Sequence, residues 1–89
     1  MNEKNALILL NEIVNSVAKK TIVLTPDKDL RRDNILDSLD MLIFFMELEN
    51  RTGISIPDAG TLVSEGWYNV KYLCAKVAEH KKCSYINYE

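Results

Sequence analysis

An all-α fold, a four-helix bundle with three main helices and one short helix, is predicted from three features of the sequence. Three segments carry apolar residues at helical spacing. The chain contains only 3 Gly and 2 Pro, which favours a few well-marked connections over many strands. Its hydrophobic residues make up 47% of the total, as in a folded globule. At this length we expect one domain over residues 1–89.

The first helix is predicted over residues 3–19. Lys19 and Lys20 are expected in its last turn, where cations suit the helix dipole. Residues 22–24 are predicted to be an extended connector whose side chains fill the core. The residues that give this helix its apolar face are Ala6, Leu7, Leu10, Ile13, Val14 and Val17.

Residues 25–37 are predicted to form a long loop between the first and second helices. Leu30, Ile35 and Leu36 are its apolar residues, and we expect them to anchor the loop to the core. The acidic residues of the loop do not match a calcium-binding EF-hand, because arginines replace an oxygen ligand and the turn glycine. No metal site is predicted.

The second helix is predicted over residues 38–52, with Asp37 or Ser38 as its N-cap and Gly53 as its end. An extended link through Pro57 and a short helical turn within residues 59–66 follow. The last helix is predicted over residues 67–81, and the tail, residues 84–89, is expected to fray unless Tyr85, Ile86 and Tyr88 dock. The residues of the last helix expected to face inward are Trp67, Val70, Leu73, Cys74 and Val77.

Charge and composition exclude several classes of function. A net charge of -2 argues against nucleic-acid binding, which requires a basic face. Cys74 and Cys83 are too far apart on one helix to form a disulfide, so both are expected to be reduced thiols. No signal peptide is expected, and the longest apolar run, residues 41–46, is too short to insert into a membrane. We expect a cytoplasmic monomer.

The second helix is more apolar than one buried face requires. Its apolar sector is much wider than the roughly 100° stripe that faces a core. Either the helix is central and covered on two sides, or one half faces a partner protein beside Ser38. The half expected to face inward comprises Met41, Phe44, Phe45 and Leu48, and the other half comprises Leu39, Leu42, Ile43 and Met46.

The start of this helix carries the sequence Asp37-Ser38-Leu39-Asp40, followed after the helix by Ile56-Pro57-Asp58. With the apolar helix between them, these motifs resemble the acyl carrier protein family over residues 30–58, and more loosely over residues 6–24 and 67–79. The resemblance implies that a phosphopantetheinyl transferase attaches 4′-phosphopantetheine from coenzyme A covalently to Ser38. The chain would then be a non-enzymatic carrier of acyl thioesters.

The resemblance also implies the partners of such a carrier, which are acyl-processing synthases or transferases of fatty-acid, lipid or polyketide-type biosynthesis. Ile43 stands where the family commonly has an acid, so a specialised carrier is expected. An acyl chain that folds back is expected to enter near Phe44, Phe45, Leu48 and Ile56. The predicted partner-binding residues are Asp37, Leu39, Asp40, Leu42, Ile43, Met46 and Glu49.

Three alternatives remain open from the sequence. A stand-alone peptidyl or aminoacyl carrier would use the same arm with an amino acid as its cargo. A helical interaction module would never receive the arm. An enzyme with a triad of Ser38, His80 and an aspartate is disfavoured, because the sole histidine lies in a charged stretch typical of a solvated helix end.

Overall fold

The computed structural model describes residues 2–80, and within them the chain forms four α-helices. They are α1 (Glu3–Ala18), α2 (Ser38–Thr52), α3 (Ala59–Glu65) and α4 (Val70–Glu79). The first helix packs against both α2 and α4. The predicted all-α bundle of three main helices and one short helix is confirmed. The tail, with Cys83 and the predictions made for residues 84–89, lies outside the described residues.

Local capping sets the ends of α1. The Asn2 side chain accepts a hydrogen bond of 2.8 Å from the Asn5 backbone N–H at the N-terminus. At the other end Lys19 adopts the left-handed conformation, with φ 57°, and caps the helix. The prediction that Lys19 and Lys20 lie in the last helical turn is therefore wrong, because the helix ends at Ala18.

Two asparagines of α1 hold the segment that follows the helix. The Asn15 side-chain oxygen accepts from the Ile22 N–H at 2.6 Å, and its amide donates to the Ile22 carbonyl at 2.9 Å. Asn11 makes the same pair of bonds with Leu24, at 2.6 and 3.3 Å. Each side chain thus replaces the partner strand that an extended backbone would otherwise need.

The extended segment places its alternate side chains on opposite sides. Leu24 is buried and Ile22 is half-buried, but Val23 is 72% exposed. The prediction that the whole segment fills the core is therefore wrong for Val23.

Asn15→Ala is expected to lower the free energy of unfolding by about 1–3 kcal/mol, because the half-buried N–H and C=O of Ile22 lose their partners. Urea unfolding of the variant measures this cost. Ser16→Ala, at the adjacent exposed position of the same helix, is the control for helix propensity. If the two variants are equally stable, the asparagine does not hold the segment.

The long loop is tied to the start of α4. The Leu30 N–H donates to the Tyr68 carbonyl at 2.8 Å, and the Val70 N–H donates to the Lys28 carbonyl at 3.0 Å. Leu30 and Leu36 are buried and Ile35 is half-buried, so the predicted anchoring of the loop is confirmed.

The last helix starts later than predicted. Gly66 ends α3 in the left-handed conformation, with φ 77°, and the Asn69 side chain caps α4 by accepting from the Tyr72 N–H at 3.0 Å. Trp67 is therefore buried in the turn before α4 rather than in the helix. All five residues predicted to face inward are buried.

Across residues 2–80, no helix has the length and apolar character needed to cross a bilayer.

Candidate functional site

The start of α2 presents Ser38 to solvent. The Asp37 carboxylate caps the helix by accepting from the Asp40 N–H at 2.8 Å. Asp37, and not Ser38, is therefore the N-cap. Ser38 is the first helical residue and is exposed. Within residues 2–80 its hydroxyl has no hydrogen-bond partner. The hydroxyl is thus accessible at a loop–helix junction whose backbone is fixed by the neighbouring side chain.

The two halves of α2 have opposite environments. The inward half, Met41, Phe44, Phe45 and Leu48, is buried. We call the other half the outer face, and it comprises Leu39 (65% exposed), Leu42 (59%), Ile43 (42%) and Met46 (57%). The described residues therefore do not cover this helix on two sides, and a continuous apolar surface begins at the residue after Ser38.

Acidic residues lie at the two ends of the outer face. Asp37 and Glu49 are exposed, whereas Asp40 is half-buried. Glu47 has a different role, because its carboxylate forms an ion pair of 3.0 Å with Arg51. The Arg51 guanidinium also lies 3.6 Å from the Glu12 carboxylate of α1. Glu47 therefore helps to link α2 to α1, and it is not one of the predicted partner-binding residues.

An apolar cavity of about 390 Å³ opens beside Ser38 between α2, α3 and the link that joins them. Two of the four residues predicted to receive an acyl chain, Phe45 and Ile56, line this cavity. The other two, Phe44 and Leu48, are fully buried in the core and are not part of its wall. The remaining lining residues are Met41, Leu42, Pro57, Asp58, Ala59, Leu62 and Tyr68.

A second cleft, of about 510 Å³, opens on the loop side of Ser38, and we call it the polar cleft. Arg31 and Asn34 of the loop and Asp37 give it its polar character. Ser38 and Tyr68 line both the polar cleft and the apolar cavity. The Tyr68 ring packs edge-on against Phe45, with centroids 5.9 Å apart. Sequence reasoning missed Arg31, Asn34 and Tyr68 as site residues.

Asp58 contributes a fixed negative charge at the apolar cavity. Its carboxylate caps α3 and accepts from the Thr61 N–H at 2.8 Å. This hydrogen bond to the ionised form lowers the pKa of Asp58 below its ordinary value. The carboxylate is therefore fully ionised at neutral pH, and an acyl chain entering this cavity would pass an anionic rim.

The other reactive side chains do not combine with Ser38. His80 caps the C-terminal end of α4, with its Nε2 beside Gly53, the residue that ends α2. Ser38 begins the same helix, roughly 20 Å away. Burial raises the pKa of the Cys74 thiol, which keeps it protonated. Residues 2–80 contain no group of three or more His, Cys, Asp or Glu side chains placed to hold a metal ion.

Comparisons of this chain with protein-family models, curated proteins and solved structures find no match. The suitability of the site for a phosphopantetheine arm therefore depends on its own geometry. Ser38 offers an exposed hydroxyl with no competing partner among the described residues. An arm attached there would have a polar cleft and an apolar cavity within immediate reach. These residues fit the group.

Proposed function

We propose that this protein is an acyl carrier protein that bears its cargo as a thioester on a 4′-phosphopantetheine arm at Ser38. The observation that carries the proposal is the exposed Ser38, placed after a capping aspartate and at the mouth of an apolar cavity. The acyl-carrier-like motifs of residues 37–40 and 56–58 flank this same cavity.

Loading is a phosphoryl-type transfer to the serine hydroxyl. The Ser38 oxygen bonds to the pantetheine-side phosphorus of coenzyme A, and the bond between that phosphorus and the oxygen bridging the two phosphates breaks. Adenosine 3′,5′-bisphosphate leaves, and the hydroxyl proton passes to a base of the phosphopantetheinyl transferase. The carrier itself needs only an accessible hydroxyl on a fixed backbone, which the start of α2 provides.

The apolar cavity supports an acyl cargo over a purely polar one. A hydrocarbon chain that leaves water for an apolar wall gains about 25 cal/mol per Å² of buried surface. Phe45, Leu62 and Met41 provide such a wall near Ser38. The same binding would shield part of the acyl chain while the arm is not engaged by an enzyme.

The outer face of α2 supports recognition by partner enzymes. Large apolar residues at the centre of an interface set its affinity, whereas charges at the rim mainly steer the encounter. Here four exposed apolar side chains lie between Asp37 and Glu49. An acyl-processing synthase or transferase would dock on this surface with Ser38 at its edge.

The proposal is tested by incubating the protein with coenzyme A and a broad-specificity phosphopantetheinyl transferase. We expect the intact mass to increase by one phosphopantetheine, and peptide mapping to locate the group on Ser38 rather than on another serine. No increase in mass would overturn the proposal and leave a helical interaction module that uses the same outer face. Uptake of amino acids but not acyl groups by cognate loading enzymes would identify a peptidyl or aminoacyl carrier instead.

Ile43→Ala and Met46→Ala are each expected to weaken binding to the partner enzyme by about 1–2 kcal/mol, the scale of a moderate interface truncation. Ile43→Glu should weaken it as well, while improving acceptance by synthases that recognise acidic carriers. Titration calorimetry at two ionic strengths measures these effects, and we expect binding to depend less on salt than it does for a strongly acidic carrier. Ile8→Ala is the matched control, because Ile8 is 50% exposed but lies on α1. Unchanged affinity in Ile43→Glu would contradict this assignment of the outer face.

A further inference from the structure

The three arginines of the chain have different partners. Arg32 forms an ion pair of 3.0 Å with Asp33, and Arg51 forms one of 3.0 Å with Glu47. Within residues 2–80, no carboxylate lies within ion-pairing distance of the Arg31 guanidinium. Arg31 lies instead over the Tyr68 ring, with its guanidinium carbon 5.9 Å from the ring centroid. Its hydrogen-bond donors are therefore available to a ligand.

The backbone that carries Arg31 is fixed on both sides. Its own N–H donates to the Asp29 carboxylate at 2.9 Å, and its carbonyl accepts from Asn34 at 3.1 Å. The preceding residue, Leu30, is fully buried and hydrogen-bonded to the Tyr68 carbonyl at 2.8 Å. A cation over an aromatic face is attracted by the electrons of the ring. Arg31 is thus kept at the wall of the polar cleft.

An anion attached to Ser38 would give the polar cleft an excess of negative charge. The residues that line it include one carboxylate, that of Asp37, and one cation, Arg31. The cap holds the Asp37 carboxylate beside the first turn of α2. A phosphodiester on the Ser38 oxygen would add a second negative charge next to it, which is unfavourable unless a cation approaches. Arg31 is the cation of this cleft.

We propose that Arg31 binds the phosphodiester of the prosthetic arm and holds the root of the arm in the polar cleft. The inference rests on the proposed function above. A guanidinium donates two parallel N–H bonds to two oxygens of a phosphate, a geometry that an ammonium does not reproduce. Tyr68 presents the guanidinium to the cleft. With the phosphate held on the loop side, the apolar cavity is left for the acyl chain.

The test compares apo and arm-bearing forms of the wild type, Arg31→Gln and Arg31→Lys. Arg32→Gln is the matched control, because it removes the same charge from the adjacent exposed residue. On attachment of the arm we expect the Arg31 side-chain Nε resonance to shift, while those of Arg32 and Arg51 stay in place. The ³¹P resonance of the arm should differ between the wild type and Arg31→Gln. Arg31→Lys should restore it only in part.

Thermal melting gives a second readout. Attachment of the arm should raise the melting temperature more in the wild type than in Arg31→Gln, by about 1–5 °C at low salt, and this difference should shrink as salt is added. Arg32→Gln should behave as the wild type does. If every variant takes up the arm but the Nε, ³¹P and melting differences are absent, the Arg31 assignment is wrong and the carrier function stands. If no variant takes up the arm, the carrier function fails and the assignment fails with it.

Discussion

Ser38→Ala is expected to take up no phosphopantetheine and to keep its fold. The variant lacks the exposed hydroxyl at the start of α2 that borders both clefts and that we propose as the nucleophile in loading. Stability should change by less than about 0.5 kcal/mol, because Asp37 and not Ser38 provides the helix cap and the Ser38 hydroxyl makes no described hydrogen bond. Intact-mass measurement after loading, together with urea unfolding, checks both halves of this expectation.

Two control variants separate the attachment site from its surroundings. Ser64→Ala removes an exposed hydroxyl from α3 and should be loaded as fully as the wild type. Asp37→Asn keeps a side chain that can cap α2 but removes the charge, so the fold should persist while recognition by the transferase weakens. An alanine variant at position 38 that still gains the mass of the arm would show that the arm is attached elsewhere.

The bounds and the two faces of α2 could be predicted from the sequence because the signals that set them are local. Asp37 and Gly53 fix its ends through a cap and a left-handed residue within one turn of the helix. The period of 3.6 residues then assigns Phe44 and Met46 to opposite sides, as observed. Whether the second apolar side is covered or exposed is left open by the sequence, and the structure shows that it is exposed.

The start of α4 and the polar cleft could not be predicted, because they depend on contacts between distant segments. Trp67 has the spacing of a helix residue, but the turn between Gly66 and Asn69 keeps it outside α4. Arg31 reaches the wall of the cleft only because the loop pairs with the backbone at Tyr68. No pattern within residues 25–37 shows that pairing. The apolar character of Leu30 predicts that it anchors the loop to the core. It does not predict which backbone group Leu30 pairs with.

Of the four residues predicted to receive an acyl chain, two border the apolar cavity and two lie in the core. Helical periodicity cannot tell which of two adjacent inward residues meets another helix and which borders a cavity. Phe44 is fully buried, whereas Phe45 reaches the apolar cavity beside Tyr68. This difference between neighbours has a measurable consequence for stability.

Phe44→Ala is expected to lower the free energy of unfolding of the apo protein by about 3–5 kcal/mol, the cost of removing a fully buried aromatic side chain and leaving an enclosed void. Phe45→Ala should cost about 1–2 kcal/mol less, because the space it vacates joins a cavity that already exists. The two residues are adjacent on one helix, with rings edge-on at 5.3 Å, so both substitutions make the same change in side-chain size and in helix propensity.

Urea unfolding followed by circular dichroism measures both variants, and Phe44→Leu extends the comparison if Phe44→Ala does not fold. The enlarged cavity of Phe45→Ala should also accept a longer acyl chain, detectable as chemical-shift changes at Leu62 and Ile56 when the loaded carriers are compared. Equal stability losses in the two alanine variants would mean that Phe45 is packed as tightly as Phe44. In that case the apolar cavity would not extend to Phe45, and the shift changes caused by an acyl chain would be confined to surface residues.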